Sequence, residues 1–272
     1  MIPSIATTTM GGTLAEKLAA ASAAGFEGLE LFETETHEGE ISAGAIRELM
    51  GAHSVRLVDW FPLRDFEGMP DDLRGETLAR AASFLDFAAG VGAPMVMMCS
   101  NTHADSEGDP ARIVKDLRAV GELAAARGLR IAYEALAWGR HVHDYRLAWQ
   151  LVREADHPAV GLVLDSFHVC ARELPFAPIR EIPGDRIFLV QLSDAPILDL
   201  DYMRWSRGHR LLPGDGDFDM EGFVAAVRAT GYDGVVSLEC FSKTLREQAP
   251  EHVALEGMAD LTRLWAGGNL PV

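Results

Sequence analysis

Four short apolar segments from residue 129 onward each end near a side chain that offers an oxygen atom as a ligand. These side chains are Glu134, Asp165, Gln191 and Glu239. The segments are short and rich in branched residues, which is typical of buried parallel β-strands. Three carboxylates that converge repel one another unless a cation balances their charge. The pattern therefore predicts a metal site built from oxygen ligands, although a single acid at a strand end could equally cap the next helix.

The ligand types in this set narrow the choice of metal. The four positions offer carboxylate and amide oxygens, with no thiolate and no obligatory imidazole. Such ligands favour Mn²⁺ or Mg²⁺, with Co²⁺ possible, over Zn²⁺. We therefore predict a divalent metal ion as the cofactor, held by all four residues.

An imidazole follows one of the predicted ligands closely. His168 stands three residues beyond Asp165, in the run Asp-Ser-Phe-His. On a strand-to-loop exit it would reach the rim of the same pocket, where a general acid or base could act. Metal ligation would lower the basicity of the other catalytic candidates, Glu134 and Glu239, so we predict that His168 is the general base. A solvent-exposed loop histidine is the alternative.

Loops after the predicted strands carry residues suited to an anionic substrate. Arg64 follows the third strand, and Ser206 and Arg210 lie in a long segment, 193–218, after the seventh. Arginine can bind a carboxylate or phosphate group with two parallel hydrogen bonds. We predict that these three residues contact the substrate, and ordinary surface salt bridges are the alternative for the two arginines.

The elements that would position these residues alternate along the chain. Eight strand-then-helix units follow one another at a period of roughly thirty residues, which is what a (β/α)₈ barrel requires. The least regular helical segment is 178–182, after the sixth strand. A doubly wound sheet is disfavoured because no glycine-rich phosphate loop follows the first strand. Since no composition break occurs, we predict a single α/β domain over residues 1–272, a TIM barrel with its site at the strand ends.

Composition limits the partners. Asp and Glu number 41 against 24 Lys and Arg, and the net charge of -17 disfavours nucleic acids and anionic membranes. Cys99, Cys170 and Cys240 show no CxxC spacing, which indicates reduced thiols. The start of the sequence lacks the pattern of a secretory signal peptide. We therefore expect a cytoplasmic protein that binds a small molecule and could form a homo-oligomer.

Several longer segments resemble a known family. Glu134-Ala-Leu-Ala-Trp-Gly-Arg-His141 is the most specific of them. The others are 64–70, 96–101, 155–168, 182–196, 213–219 and 237–241. Together they resemble the xylose-isomerase-like sugar phosphate isomerase/epimerase superfamily of TIM barrels, and within it the bacterial 3-dehydroshikimate dehydratases. Some relatives carry a second, dioxygenase-like domain, and we expect this chain to end too soon for one.

The resemblance implies an activity and a set of roles. It implies a hydro-lyase that converts 3-dehydroshikimate, a cyclic hydroxy-keto carboxylate, to protocatechuate in aromatic catabolism. The steps would be abstraction of the α-proton, a metal-stabilised enolate, and loss of the β-hydroxyl. The metal would be held at the four positions chosen above, and substrate contacts would come from Arg64, His168, Ser206 and Arg210.

Other activities on the same barrel remain open. A sugar or sugar phosphate isomerase or epimerase would use Glu134 and Glu239 as an acid/base pair. A nucleic-acid repair enzyme would need several histidine ligands for zinc and a basic face, which the sequence does not offer. A non-catalytic carbohydrate-binding barrel would leave the four-ligand site without a purpose.

Overall fold

Eight parallel strands close into a barrel in chain order, in a computed structural model that describes residues 1–36 and 41–267. The strands are β1 (Ile2–Ala6), β2 (Gly28–Phe32), β3 (Arg56–Leu63), β4 (Met95–Cys99), β5 (Arg130–Glu134), β6 (Val160–Asp165), β7 (Ile187–Leu192) and β8 (Val235–Leu238). The predicted (β/α)₈ barrel is confirmed. The single domain over 1–272 stays a prediction, and its last five residues, 268–272, lie outside the described part.

Helices alternate with the strands along the chain, and the longer ones pack on the outside of the barrel. They are α1 (Leu14–Ala24), α2 (Ala43–Gly51), α3 (Asp71–Val91), α4 (Pro110–Ala125), α5 (Tyr145–Ala155), α6 (Ser166–Ala171), α7 (Tyr202–Gly208), α8 (Met220–Arg228), α9 (Lys243–Arg246) and α10 (Pro250–Ala266). Local signals set their ends. Thr13 and Glu16 form a capping box at the start of α1, and Asp109 caps α4 before a proline at its first position. None of the described helices is long and apolar enough to cross a membrane.

The hydrophobic core has two layers. The larger layer lies between the outer faces of the strands and the helices, and includes Leu85, Leu117 and Phe223. A smaller layer fills the barrel interior with side chains such as Met97 and Phe188. Gly161 leaves room there, because a Cβ at that position would lie 2.4 Å from the Phe188 ring. Because the barrel interior is packed, the side chains at the carboxyl ends of the strands rest on a layer of closely packed residues.

Two helices near the strand ends differ from the sequence-based expectation. α6 begins at Ser166, immediately after β6, because the Asp165 side chain accepts a hydrogen bond from the Phe167 amide at 2.7 Å and caps the helix. The predicted segment 178–182 is only a 3₁₀ turn, Ala177–Glu181. The long segment after β7 contains α7, which Asp201 caps through the Arg204 amide.

Candidate active site

A cavity of about 190 Å³ opens at the carboxyl ends of the strands. Aromatic and apolar side chains form much of its wall: Phe32, Phe61, Leu136, Trp138, Met203 and Phe241. Its polar lining includes Arg64, Glu134, His168, Ser206, Arg207, Arg210 and Glu239. Sequence reasoning named all of these polar residues except Arg207. The barrel thus gathers side chains from several distant segments around one pocket, as parallel strands require.

Three buried acids surround one buried arginine at this end of the barrel. Glu134, Asp165 and Glu239 are each at most 3% exposed. Nη1 of Arg210 donates to Asp165 Oδ2 and to Glu239 Oε2, both at 2.8 Å. The guanidinium also packs 4.5 Å from the centre of the Phe167 ring. One positive charge therefore offsets part of the charge that three ionised carboxylates would carry.

The geometry fits a divalent cation. One ligand atom each from Glu134, Asp165 and His168 lie within 4.8 Å of one another. Oε1 of Glu134 is buried and has no hydrogen-bond partner among the described residues. A buried acceptor without a donor is costly, and a cation would supply the missing partner. The cluster adds an imidazole to the predicted oxygen ligands.

The other two predicted ligands lie beside this cluster. Glu239 reaches it through the shared guanidinium of Arg210. Gln191 on β7 is the register partner of Asp165 on β6 and is fully buried. Its Oε1 atom has no hydrogen-bond partner in residues 1–36 and 41–267. All four positions therefore belong to the same end of the barrel, and their role as ligands stays a prediction.

Burial dominates the electrostatics of the acids. It raises the pKa of Glu134 well above its usual range, and repulsion from Asp165 and Glu239 adds to the effect. It also raises the pKa of Glu239 to about 7, although Arg210 opposes the shift. The pKa of Asp165 is raised by burial and held back by Arg210. A bound cation would favour the ionised forms, so metal binding would release protons.

His168 lies inside the site rather than at its rim. It sits on α6, is 4% exposed, and packs edge-on against Trp138 at 5.1 Å between ring centres. Nε2 stands 3.6 Å from Glu134 Oε1 and 3.5 Å from Asp165 Oδ2. Burial, followed by the charge of Arg210, lowers the pKa of His168 well below its usual value. The ring is therefore neutral at neutral pH.

Hydrogen-bond donors face both ring nitrogens of His168. The Ala137 amide lies 3.1 Å from Nδ1, and Nη2 of Arg210 lies 3.4 Å from Nε2. A neutral imidazole accepts at one nitrogen only, so it can satisfy one of these two donors at a time. With the bond from Ala137 in place, Nε2 carries the proton and His168 can donate toward the acids. With the contact to Arg210 as the hydrogen bond, the proton is on Nδ1 and Nε2 is free to act as a base.

The predicted substrate contacts all reach the cavity. Arg64 forms an ion pair with Glu33 and lies over the Phe32 ring. Ser206, on α7, is fully buried and accepts hydrogen bonds from Nε and Nη2 of Arg210, at 3.1 and 2.9 Å. Ser206 thus orients the arginine that pairs with the acids. Whether these residues contact a substrate stays a prediction.

Sequence reasoning missed one cavity arginine and two interior acids. Arg207 follows Ser206 on α7, and its guanidinium lies 4.8 Å from the centre of the Phe241 ring. The guanidinium of Arg207 has no ion pair or hydrogen bond within the described ranges. Glu30 on β2 and Asp59 on β3 are fully buried inside the barrel. Single acids inside apolar strands were the available signal for that pair.

Comparisons with known proteins agree with this architecture. The sequence profile of the xylose isomerase-like TIM barrel family matches residues 18–264. Over 261 residues the chain is 46% identical to the 3-dehydroshikimate dehydratase of Pseudomonas putida. This match covers 96% of this chain and 41% of that protein. It is 25% identical over 328 residues to the 3-dehydroshikimate dehydratase of Neurospora crassa, covering 96% and 91% of the two.

A solved structure gives the same result in three dimensions. A xylose isomerase-like TIM barrel/4-hydroxyphenylpyruvate dioxygenase fusion protein superimposes with a TM-score of 0.94 at 46% identity. The match covers 97% of this chain and 42% of the fusion protein. The chain thus spans less than half the length of this protein and of the Pseudomonas putida relative. The family profile, the sequence relatives and the superimposed structure all indicate the same family. The chain belongs to the xylose isomerase-like TIM barrel family.

Proposed function

We propose that the chain is a metal-dependent 3-dehydroshikimate dehydratase, a hydro-lyase whose product is protocatechuate. The observation that carries the proposal is the buried cluster of Glu134, Asp165 and His168 in an arginine-lined cavity. A relative of that name is 46% identical over 96% of this chain. The substrate class suits the cavity, since apolar walls can hold a six-membered ring and cationic side chains can hold its carboxylate.

The proposed metal site uses the four predicted oxygen ligands, with His168 at its edge. We propose Mn²⁺, Mg²⁺ or Co²⁺ as the ion, held by Glu134, Asp165, Gln191 and Glu239. When bound, the ion supplies positive charge that stabilises an enolate formed from the substrate ketone. The apolar side chains of the cavity wall lower the local polarity, which strengthens each electrostatic interaction beside them.

His168 is proposed as the group that moves the proton. As a general base, its Nε2 must be free of hydrogen, so the Ala137 amide has to lose its partner when substrate binds. In the tautomer that accepts from Ala137, Nε2 instead carries a proton that is available to the departing hydroxyl. Both steps occur in the dehydration, and nitrogen NMR of the substrate-free and product-bound enzyme would show which tautomer each state holds.

Three arginines are candidates for the substrate carboxylate. Arg64 and Arg210 already bind protein carboxylates. Arg207 has no such partner in the described part of the chain, so its guanidinium is available to a ligand. We therefore propose that Arg207 joins Arg64 and Arg210 in binding the substrate. Arg207→Lys keeps the positive charge but loses the planar guanidinium that can donate two parallel hydrogen bonds. We therefore expect Arg207→Lys to raise KM at least several-fold.

One assay tests the proposed function. Metal-depleted protein is mixed with 3-dehydroshikimate, Mn²⁺ is added, and ultraviolet absorbance is followed for an aromatic product. We expect turnover only with metal, and none with Glu239→Ala. Product formation by metal-free enzyme would refute the metal requirement. No aromatic product, together with interconversion of sugars, would replace the dehydratase by the isomerase or epimerase alternative that uses Glu134 and Glu239.

A further inference from the structure

Two carboxyl groups that the proposed reaction does not use lie within the barrel. Glu30 on β2 and Asp59 on β3 are register partners in the sheet, and both are 0% exposed. Neither has an ion pair with a cationic side chain in the part of the chain that the structure describes. Burying a carboxyl group is costly, and leucine would fill this interior more cheaply. The pair therefore calls for an explanation beyond packing.

Glu30 has a well-defined hydrogen-bond donor beside it, and that donor belongs to a proposed metal ligand. Nε2 of Gln191 donates a hydrogen bond to Oε2 of Glu30 at 2.9 Å. Gln191 is also 0% exposed, and its Oε1 has no partner among the described residues. The amide thus has its nitrogen end bound inside the barrel and its oxygen end free.

The orientation of this amide matters for a cation. A glutamine side chain has an acceptor end and a donor end of nearly equal shape, and its terminal torsion is broad and roughly two-fold. A half-turn about that torsion would exchange the oxygen for an NH₂ group, whose hydrogens repel a cation. Something must therefore choose between the two orientations.

We propose that Glu30 is a positioning residue, which holds Nε2 of Gln191 so that Oε1 is the atom presented to the metal. The inference rests on the metal site of the proposed function. It does not depend on the charge of Glu30, because a neutral carboxyl group keeps an acceptor oxygen. Asp59 is the register partner of Glu30 on the neighbouring strand.

Metal affinity of three variants tests the positioning role. Mn²⁺ alone is titrated calorimetrically into the metal-depleted full chain, with no substrate present. Glu30→Leu removes the acceptor and Glu30→Asp withdraws it by one methylene, so each should weaken Mn²⁺ binding about 10–100-fold, as loss of a hydrogen bond to a metal ligand typically does. Glu30→Gln is the matched control, since its amide oxygen can still accept, and should stay within a few-fold of wild type.

A double-variant cycle shows whether Glu30 acts through Gln191. In the Gln191→Ala background, Glu30→Asp should have no further effect on Mn²⁺ binding, because the side chain that it positions is gone. An equal loss in both backgrounds would overturn the proposal, and so would a Glu30→Gln variant as weak as Glu30→Leu, which would point to charge. Wild-type affinity in both Glu30→Leu and Glu30→Asp would also overturn it.

These outcomes are separate from those of the proposed function. Wild-type protein that binds Mn²⁺ but makes no aromatic product would remove the dehydratase activity and leave the role of Glu30 standing. Wild-type protein that binds no divalent metal would remove both. Far-ultraviolet circular dichroism of each apo variant checks folding, and Glu30→Asp serves as the polar variant if Glu30→Leu does not fold.

Discussion

Replacing Arg210 by Met should destabilise the metal-free protein strongly. Arg210 is 1% exposed and pairs with Asp165 and Glu239 at 2.8 Å each. Methionine keeps much of the length and apolar contact but removes the charge. Removing one partner from a buried ionic network costs about 3–5 kcal/mol, since the remaining charges are left unpaired. In a domain of this size that corresponds to a fall in Tm of roughly 10 °C.

The pH dependence separates charge from packing. Arg210 lowers the pKa values of Asp165 and Glu239 against the effect of burial. Its contribution is therefore present when these acids are ionised, and it is lost as pH falls and they take up protons. The difference in Tm between wild type and Arg210→Met should be largest above pH 7, because Glu239, whose pKa is about 7, is then ionised. The difference should become smaller as the pH is lowered.

The assay is thermal unfolding in chelator at several pH values, repeated with saturating Mn²⁺. Bound Mn²⁺ should reduce the difference in Tm between wild type and Arg210→Met, because a dication replaces the missing charge. Arg204→Met is the control on α7, since Arg204 is 77% exposed and lies 3.9 Å from Asp201, and exposed pairs contribute at most about 1 kcal/mol. A gap for Arg210→Met that does not change with pH would show that the arginine acts by packing, and no gap would refute the reasoning.

Three further predictions concern single side chains. Glu134→Ala and Glu239→Ala should each abolish turnover while changing the apo Tm little, because each relieves repulsion among three acids that share one arginine, and Arg210 keeps Asp165 as its partner; a large loss of Tm in both would show a structural role. His168→Gln should lose about 10²–10⁴-fold in kcat and still bind Mn²⁺, and near-normal kcat would place the proton transfer elsewhere. Glu67, which accepts a hydrogen bond from Tyr133 at 2.8 Å, has its pKa raised from 4.5 to about 7, mainly by burial. It therefore lowers the stability of wild type as pH rises from 4.5 to 7, and Glu67→Gln should be progressively more stable relative to wild type over that range in urea unfolding; a constant difference would count against it.

The regular alternation of predicted strands and helices along the chain determined that the fold is a barrel. It also determined which end of the barrel carries the site. Alternating apolar strands and amphipathic helices are properties of neighbouring residues, and a closed parallel sheet then puts every strand end at one rim. That Glu134, Asp165 and Glu239 lie at the same end of the barrel follows from that rule. The identity of His168 as a neighbour followed from its short distance in sequence to Asp165.

Only the tertiary structure decided which side chains pair with which. Arg210 bonds to Asp165, 45 positions away, and Gln191 bonds to Glu30, 161 positions away. Such contacts depend on how the barrel closes and how each loop returns over it, and no local pattern records them. The burial of His168 likewise depended on α6 starting directly after Asp165, whose carboxylate both caps the helix and pairs with Arg210. Local sequence thus specifies the elements, whereas closure of the barrel assigns their partners, because those partners come from segments far apart in the chain.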